Sequence, residues 1–204
     1  MRIIGFKEFE EPDKDKTRVV SYVLGEDKPV CRTIQVDNER FFVSFPYVTY
    51  MFQEVFLCNL SGSNSHWASE PFQEEHRSFY VSFSQTSTTK LATALRWTGL
   101  PNIEASGEVC LGDGINKFEG ELNIATFRRV VGHFWMSGFT QDMEQAEWHG
   151  TEILRQHFEV YDDAICPCRA WADASKKDSS YGLKIEWPKL DGKLCDFLWK
   201  DYTD

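Results

Sequence analysis

Leu100-Pro101-Asn102-Ile103-Glu104-Ala105-Ser106-Gly107-Glu108-Val109-Cys110-Leu111 is the stretch on which the reading of this chain turns. Pro101 pre-sets its own backbone torsion, Asn102 and Gly107 accept turn conformations, and Val109-Cys110-Leu111 reads as a short extended piece leaving the turn. A carboxamide is thereby folded back toward a sulfur. Strand patterns dominate before this stretch and helix patterns after it.

Toward the N-terminus, Thr17 to Leu24, Thr33 to Val36 and Phe41 to Phe45 are rich in β-branched and aromatic residues. Gly25-Glu26-Asp27-Lys28-Pro29 and Asp37-Asn38-Glu39 separate them, so they read as successive antiparallel strands. Tyr47 to Leu57 is apolar, with alternation interrupted at Gln53 and Glu54, and reads as strand in preference to helix. Ser61-Gly62-Ser63-Asn64-Ser65 is a loop pattern. In Arg77 to Ser84, Phe79, Val81 and Phe83 alternate with Ser78, Tyr80, Ser82 and Ser84, the period of a half-buried strand. Lys90 to Trp97 is ambiguous.

Toward the C-terminus, Asn123 is placed to cap a helix whose apolar positions Ile124, Phe127, Val130, Val131, Phe134 and Trp135 follow the 3.6-residue period. A second helix is expected over Thr151 to Phe158. Ala174 to Ser180 reads as a surface loop and Leu183 to Trp187 as a strand. No internal repeat or low-complexity block is present.

A chain of 204 residues suffices for one domain with a true core. Sixteen Phe and seven Trp argue for a core built on rings and against disorder. A net charge of −10 without a basic run disfavours nucleic acid as a partner, since phosphate binding needs clustered Lys and Arg. Met1 to Phe6 lacks the apolar core of a signal peptide and no apolar run has membrane-spanning length, so a cytoplasmic protein without a membrane partner is expected. The six cysteines are scattered, which fits reduced thiols better than a disulfide scaffold. No phosphate-cradling glycine loop occurs, because Gly112-Asp113-Gly114 lacks the residues that would follow it. No cofactor is implied.

A thiol in such a turn invites nucleophilic chemistry. Cys110 would act as its thiolate, and Asn102 would donate to the oxyanion of a tetrahedral intermediate. The alternative is a small core residue at Cys110 and a simple turn at Asn102.

Pro101-Asn102, the following Ile103, the glycine turn and Val109-Cys110-Leu111 together resemble the active-site segment of ubiquitin-conjugating enzymes, with the same Asn-to-Cys spacing. The family's histidine is Leu100 here. Phe134-Trp135-Met136-Ser137-Gly138-Phe139-Thr140 is similar to the segment that follows in the prokaryotic PRTRC system protein B group, where a histidine stands at the position of Gln141. The resemblance implies an α+β fold of ubiquitin-conjugating type: an antiparallel meander sheet, an active-site loop, then helices. Residues 1–150 would form that domain, and residues 151–204 a C-terminal extension packed on it. It further implies a cysteine transferase. Cys110 would take the acyl group of a ubiquitin-like modifier from its activating enzyme as a thioester, and an amine would then receive it. Asn102 would assist, and Asp113 would orient or deprotonate the amine, unless it is a solvated loop acid. The charged segment Lys7 to Lys16, with Pro12, does not read as the N-terminal helix such enzymes use.

Leu100 leaves open an inactive protein-interaction module on the same fold, and the aromatic, acidic composition leaves open a structural or assembly protein, viral or prokaryotic. A second constellation, Cys166-Pro167-Cys168 with His149 and His157, offers soft ligands for zinc or a redox pair, against two unremarkable thiols. Its spacing is not that of a standard metal site, and no metal is assigned.

Overall fold

The computed structural model describes residues 1–10, 17–36, 38–57, 73–87, 93–98, 100, 103, 106–110, 123–139, 149–161 and 165–193. In chain order the elements are β1 (Arg2–Glu10), β2 (Thr17–Gly25), β3 (Val30–Val36), β4 (Glu39–Phe45), β5 (Tyr47–Leu57), β6 (Gln73–Ser84) and β7 (Ala94–Arg96), then α1 (Ile124–Met136), α2 (His149–Phe158), α3 (Cys166–Lys177) and β8 (Lys189–Lys193). The fold is mixed α+β, with strands paired antiparallel in both sheets. The loop pattern at Ser61 to Ser65 lies outside the described residues.

The expected run of neighbouring strands is corrected in one respect. β2 does not pair with β3: it lies between β1 and β5, in a six-stranded sheet ordered β1-β2-β5-β6-β7-β8, while β3 and β4 form a separate two-stranded sheet. β2 and β5 pair continuously from Thr17↔Leu57 to Gly25↔Thr49, which leaves no free edge on β2 for the hairpin between them. The hairpin instead lays Ile34, Val36, Phe41, Val43 and Phe45 into the main core.

One face of the large sheet carries Val20, Leu24, Val48, Tyr50, Phe52, Phe79, Val81 and Phe83 in the same core as the buried stripe of α1. Phe79 meets Phe127 and Phe134 of α1 edge-on at 6.3 and 5.7 Å, in the tilted arrangement favoured by ring quadrupoles. Asn123 caps α1 as its side chain predicts, with Oδ1 accepting from the backbone N–H groups of Ala125 and Thr126 at 2.9 and 3.0 Å. The other sheet face is covered as well. Val23, Met51 and Leu95 form a second small core there with Ile4, Tyr80 and Leu190. β6 is therefore buried on both faces, Ser78, Ser82 and Ser84 included, and not half-buried as its alternation suggests.

The interruption at Gln53 and Glu54 is now explained. Gln53 Nε2 donates to Ser21 Oγ at 3.1 Å across β2, and the buried Glu54 carboxylate lies 2.8 Å from Nε of Arg77, its register partner on β6. A buried charge is tolerable only when so paired.

Two expectations for the C-terminal part change. Ala174 to Lys177 is the last turn of α3, not loop: Ser175 donates back to the Trp171 carbonyl at 2.8 Å and turns its hydroxyl inward. Polar composition concealed a helix because its serine faces the core. Leu183 to Trp187 is not a strand either. A 3-10 turn at Tyr181–Leu183 leads into irregular chain that buries Ile185 and Trp187, and the strand begins at Lys189. The alternation reports burial without a ladder. Of Lys90 to Trp97, Ala94–Arg96 is strand.

Ser44 on β4 ties this part to the hairpin. Its N–H donates to Ser175 Oγ (2.9 Å), its carbonyl accepts from Trp171 Nε1 (3.2 Å), and its hydroxyl accepts from the Gly182 N–H (2.9 Å). Gly182 lies so close that an added Cβ would sit 2.7 Å from the Phe45 carbonyl carbon and closer still to the Ser44 oxygen. Neither neighbour is a flexible side chain, so Gly182→Ala forces the turn off β4. The expected loss is about 1–3 kcal/mol, the range for overpacking, read as a lower urea midpoint.

Candidate functional site

The approach to Cys110 is built from three core residues. Leu100, Ile103 and Val109 are all buried in the main core, so the segment is held by apolar anchors on both sides of its turn. Ile103 bridges Val109 antiparallel, and Glu108 bridges Tyr80 of β6. Two backbone hydrogen bonds fix the strand-like piece to the sheet: Val81 N–H to Gly107 O at 2.9 Å and Val109 N–H to Phe79 O at 2.7 Å. The Ser106 hydroxyl accepts from the Glu108 N–H at 3.2 Å, closing the turn.

Gly107 has φ +87°, a conformation that costs a residue with a Cβ, and an added Cβ would stand 3.3 Å from the Val81 carbonyl oxygen. The glycine that reads as turn-tolerant in the sequence is required where the chain crosses the end of β6. Beyond Val109 the chain leaves the core, and Cys110 is exposed. Leu100, at the position of the resemblance's histidine, is a core side chain; its N–H lies 3.4 Å from Thr98 Oγ1.

Asn102 and Asp113 lie outside the described residues, as does Gln141, so of the three expected site residues only Cys110 is described. The Cys166, Cys168, His149 and His157 constellation does not gather into a metal site: among the described residues no three His, Cys, Asp or Glu side chains converge. Cys166-Pro167-Cys168 opens α3, where positions i and i+2 lie about 200° apart around the axis. Cys168 is fully buried and Cys166 half-buried. Opposite sides of one helix turn do not form a redox pair. His157 Nε2 stands 3.2 Å from the Tyr181 hydroxyl, with its ring against Phe158 and Tyr181, and burial lowers its pKa.

The sequence pattern gave no hint of a buried polar chain beside α1. Trp135 Nε1 donates to the Tyr50 hydroxyl (2.9 Å), which reaches Glu26 Oε1 (3.4 Å). Arg32 Nη2 donates to the same oxygen at 2.8 Å while its guanidinium lies 4.9 Å from the Trp135 ring centroid. Burial pushes the Tyr50 phenol far up, against the lowering effect of Arg32. The chain joins β2's end, the hairpin, β5 and α1. Its partners are scattered over 110 residues of sequence, which is why no local motif signals it.

Compared with known proteins, the chain matches no family model, no curated protein and no solved structure.

Two outcomes are expected. Gly107→Ala strains the turn and lowers stability by about 1–3 kcal/mol, with a changed Cys110 alkylation rate in the folded protein. For His157, a lowered folded pKa means that the unfolded chain binds the proton first. Stability is full above the ordinary value of 6.5 and falls as pH drops from there toward the folded pKa. His157→Gln should flatten that acid limb in urea melts at stepped pH.

Proposed function

We propose that the chain is a cysteine-dependent acyl carrier of ubiquitin-conjugating type, with Cys110 as the nucleophile. The observation that carries this reading is the exposure of Cys110 one residue beyond a rigidly anchored turn. A cysteine serving only as a core residue would be buried. Catalysis of acyl transfer instead needs a thiol open to a large partner and held still by residues that do not take part.

The bridge between Ile103 and Val109 adds support. It holds the residue before Cys110 against Ile103, so the thiol follows a fixed backbone. In the proposed reaction the Cys110 thiolate attacks the carbonyl of a modifier thioester carried by an activating enzyme, whose thiolate leaves. An amine then attacks the Cys110 thioester, loses its proton to a base such as Asp113, and releases the Cys110 thiolate. No metal or cofactor enters either step.

The competing reading, a non-catalytic interaction module, draws on Leu100, a core side chain at the position where the resemblance has a histidine. As to membranes, no helix of the described residues is long and apolar enough to cross one.

Alkylation of the folded protein by iodoacetamide across pH, followed by intact mass and peptide mapping, separates the readings. Cys110 is expected to react first and Cys168 only on unfolding, with Cys110→Ser removing the fast phase. A Cys110 that stays protected until the protein unfolds would sink the catalytic reading.

A further inference from the structure

The outward face of α1 is basic, with one apolar side chain. Arg128, Arg129, Gly132, His133 and Met136 are all exposed, and between Asn123 and Ser137 the sequence carries no acidic residue, in a protein of net charge −10. Among the described residues neither arginine makes an ion pair; Arg129 Nη2 donates to the Thr126 hydroxyl one turn back at 3.2 Å. Met136 is 87% exposed, more than any other large apolar side chain among the described residues.

Gly132 sits between these groups, four residues after Arg128 and four before Met136, and so on one row of the helix surface. Glycine in a helix interior costs about 1 kcal/mol relative to alanine, and at Gly132 nothing among the described residues repays it. An added Cβ would meet no atom within 4 Å, and φ is not positive. Gly182 and Gly107 are each demanded by a neighbouring backbone. Gly132 is demanded by nothing among the described residues.

We propose that this face of α1 docks an acidic amphipathic helix of a partner protein. The bare backbone at Gly132 admits the close approach of a second helix. Carboxylates on that helix meet Arg128 and Arg129, and an apolar position takes Met136. Sign decides the occupant: in a protein of net charge −10, two exposed arginines on an acid-free helix attract an acidic partner, and attraction at α1 also sets orientation. The inference is independent of Cys110 chemistry.

The test uses the full chain and a fluorescein-labelled synthetic helical peptide with Glu on one face and Leu on the other, read by anisotropy, with its Glu→Lys counterpart as control. The acidic peptide is expected to bind and the basic one not, with affinity falling as salt rises from 50 to 300 mM, a range that shortens the Debye length. Arg128→Glu with Arg129→Glu should abolish binding. Gly132→Gln should raise the melting temperature while weakening binding at least tenfold, and Cys110→Ser should leave binding unchanged. No binding up to 1 mM peptide, binding of both peptides alike, or unchanged affinity in the Gly132 or arginine variants would overturn the proposal. Since those substitutions lie on a solvent-exposed face, folding is checked by the melting curve itself.

Discussion

Phe79 does two jobs with one residue. Its ring is one of the points where α1 meets the sheet, touching Phe127 and Phe134, and its carbonyl holds the Val109 N–H. The packing of the helix layer and the placement of the segment before Cys110 are therefore set by the same strand. Any shift of β6 that relieved the core would move the hydrogen bonds at Phe79 and Val81 with it. The close packing of protein interiors resists such shifts, so the exposed thiol inherits its fixed position from a strand packed on both faces.

The approach to Cys110 is held by burial of Leu100 as well as by these hydrogen bonds. Leucine acts by burial: with Ile103 and Val109 it contributes apolar area on both sides of the turn, at roughly 25 cal/mol per Å² removed from water. Hydrogen bonds to β6 then supply direction, which burial alone does not. Burial and directed hydrogen bonds together order the segment before Cys110.

Local chemistry was well expressed in the sequence. The Asn123 cap, the stripe of α1, the strands β2, β4 and β6 and the turn at Gly107 are each readable from residues a few positions apart, because caps, periodicities and positive-φ glycines are local. What was not readable depends on distant partners. The hairpin's departure from the sheet is decided by the nine-residue pairing of β2 with β5, and the helical state of Ala174 to Lys177 by a serine that turns toward Ser44. The polar chain from Glu26 to Trp135 has no sequence signature. At the site, the exposed state of Cys110 follows from the end of the Val109 bridge, which no spacing rule specifies. The patterns at Leu183 to Trp187 show the limit plainly, since burial at alternate positions occurs there without a strand.

The junction at Ser44 carries a consequence for the order of folding. β1 with β2 and β3 with β4 are hairpins whose closing loops are short, and they can form while the chain is being made. The donor and acceptor groups of Ser44 find Trp171, Ser175 and Gly182 only across more than a hundred residues, and β8 meets β7 across a comparable gap. Long loops are closed late because their entropy must be met before any contact is gained. Until then Phe45 lacks its Trp171 neighbour and β7 remains an open edge. The nascent protein thus spends its synthesis with an apolar seam unsealed, which makes it a natural client for chaperones and places its aggregation risk before, not after, the last helix is made.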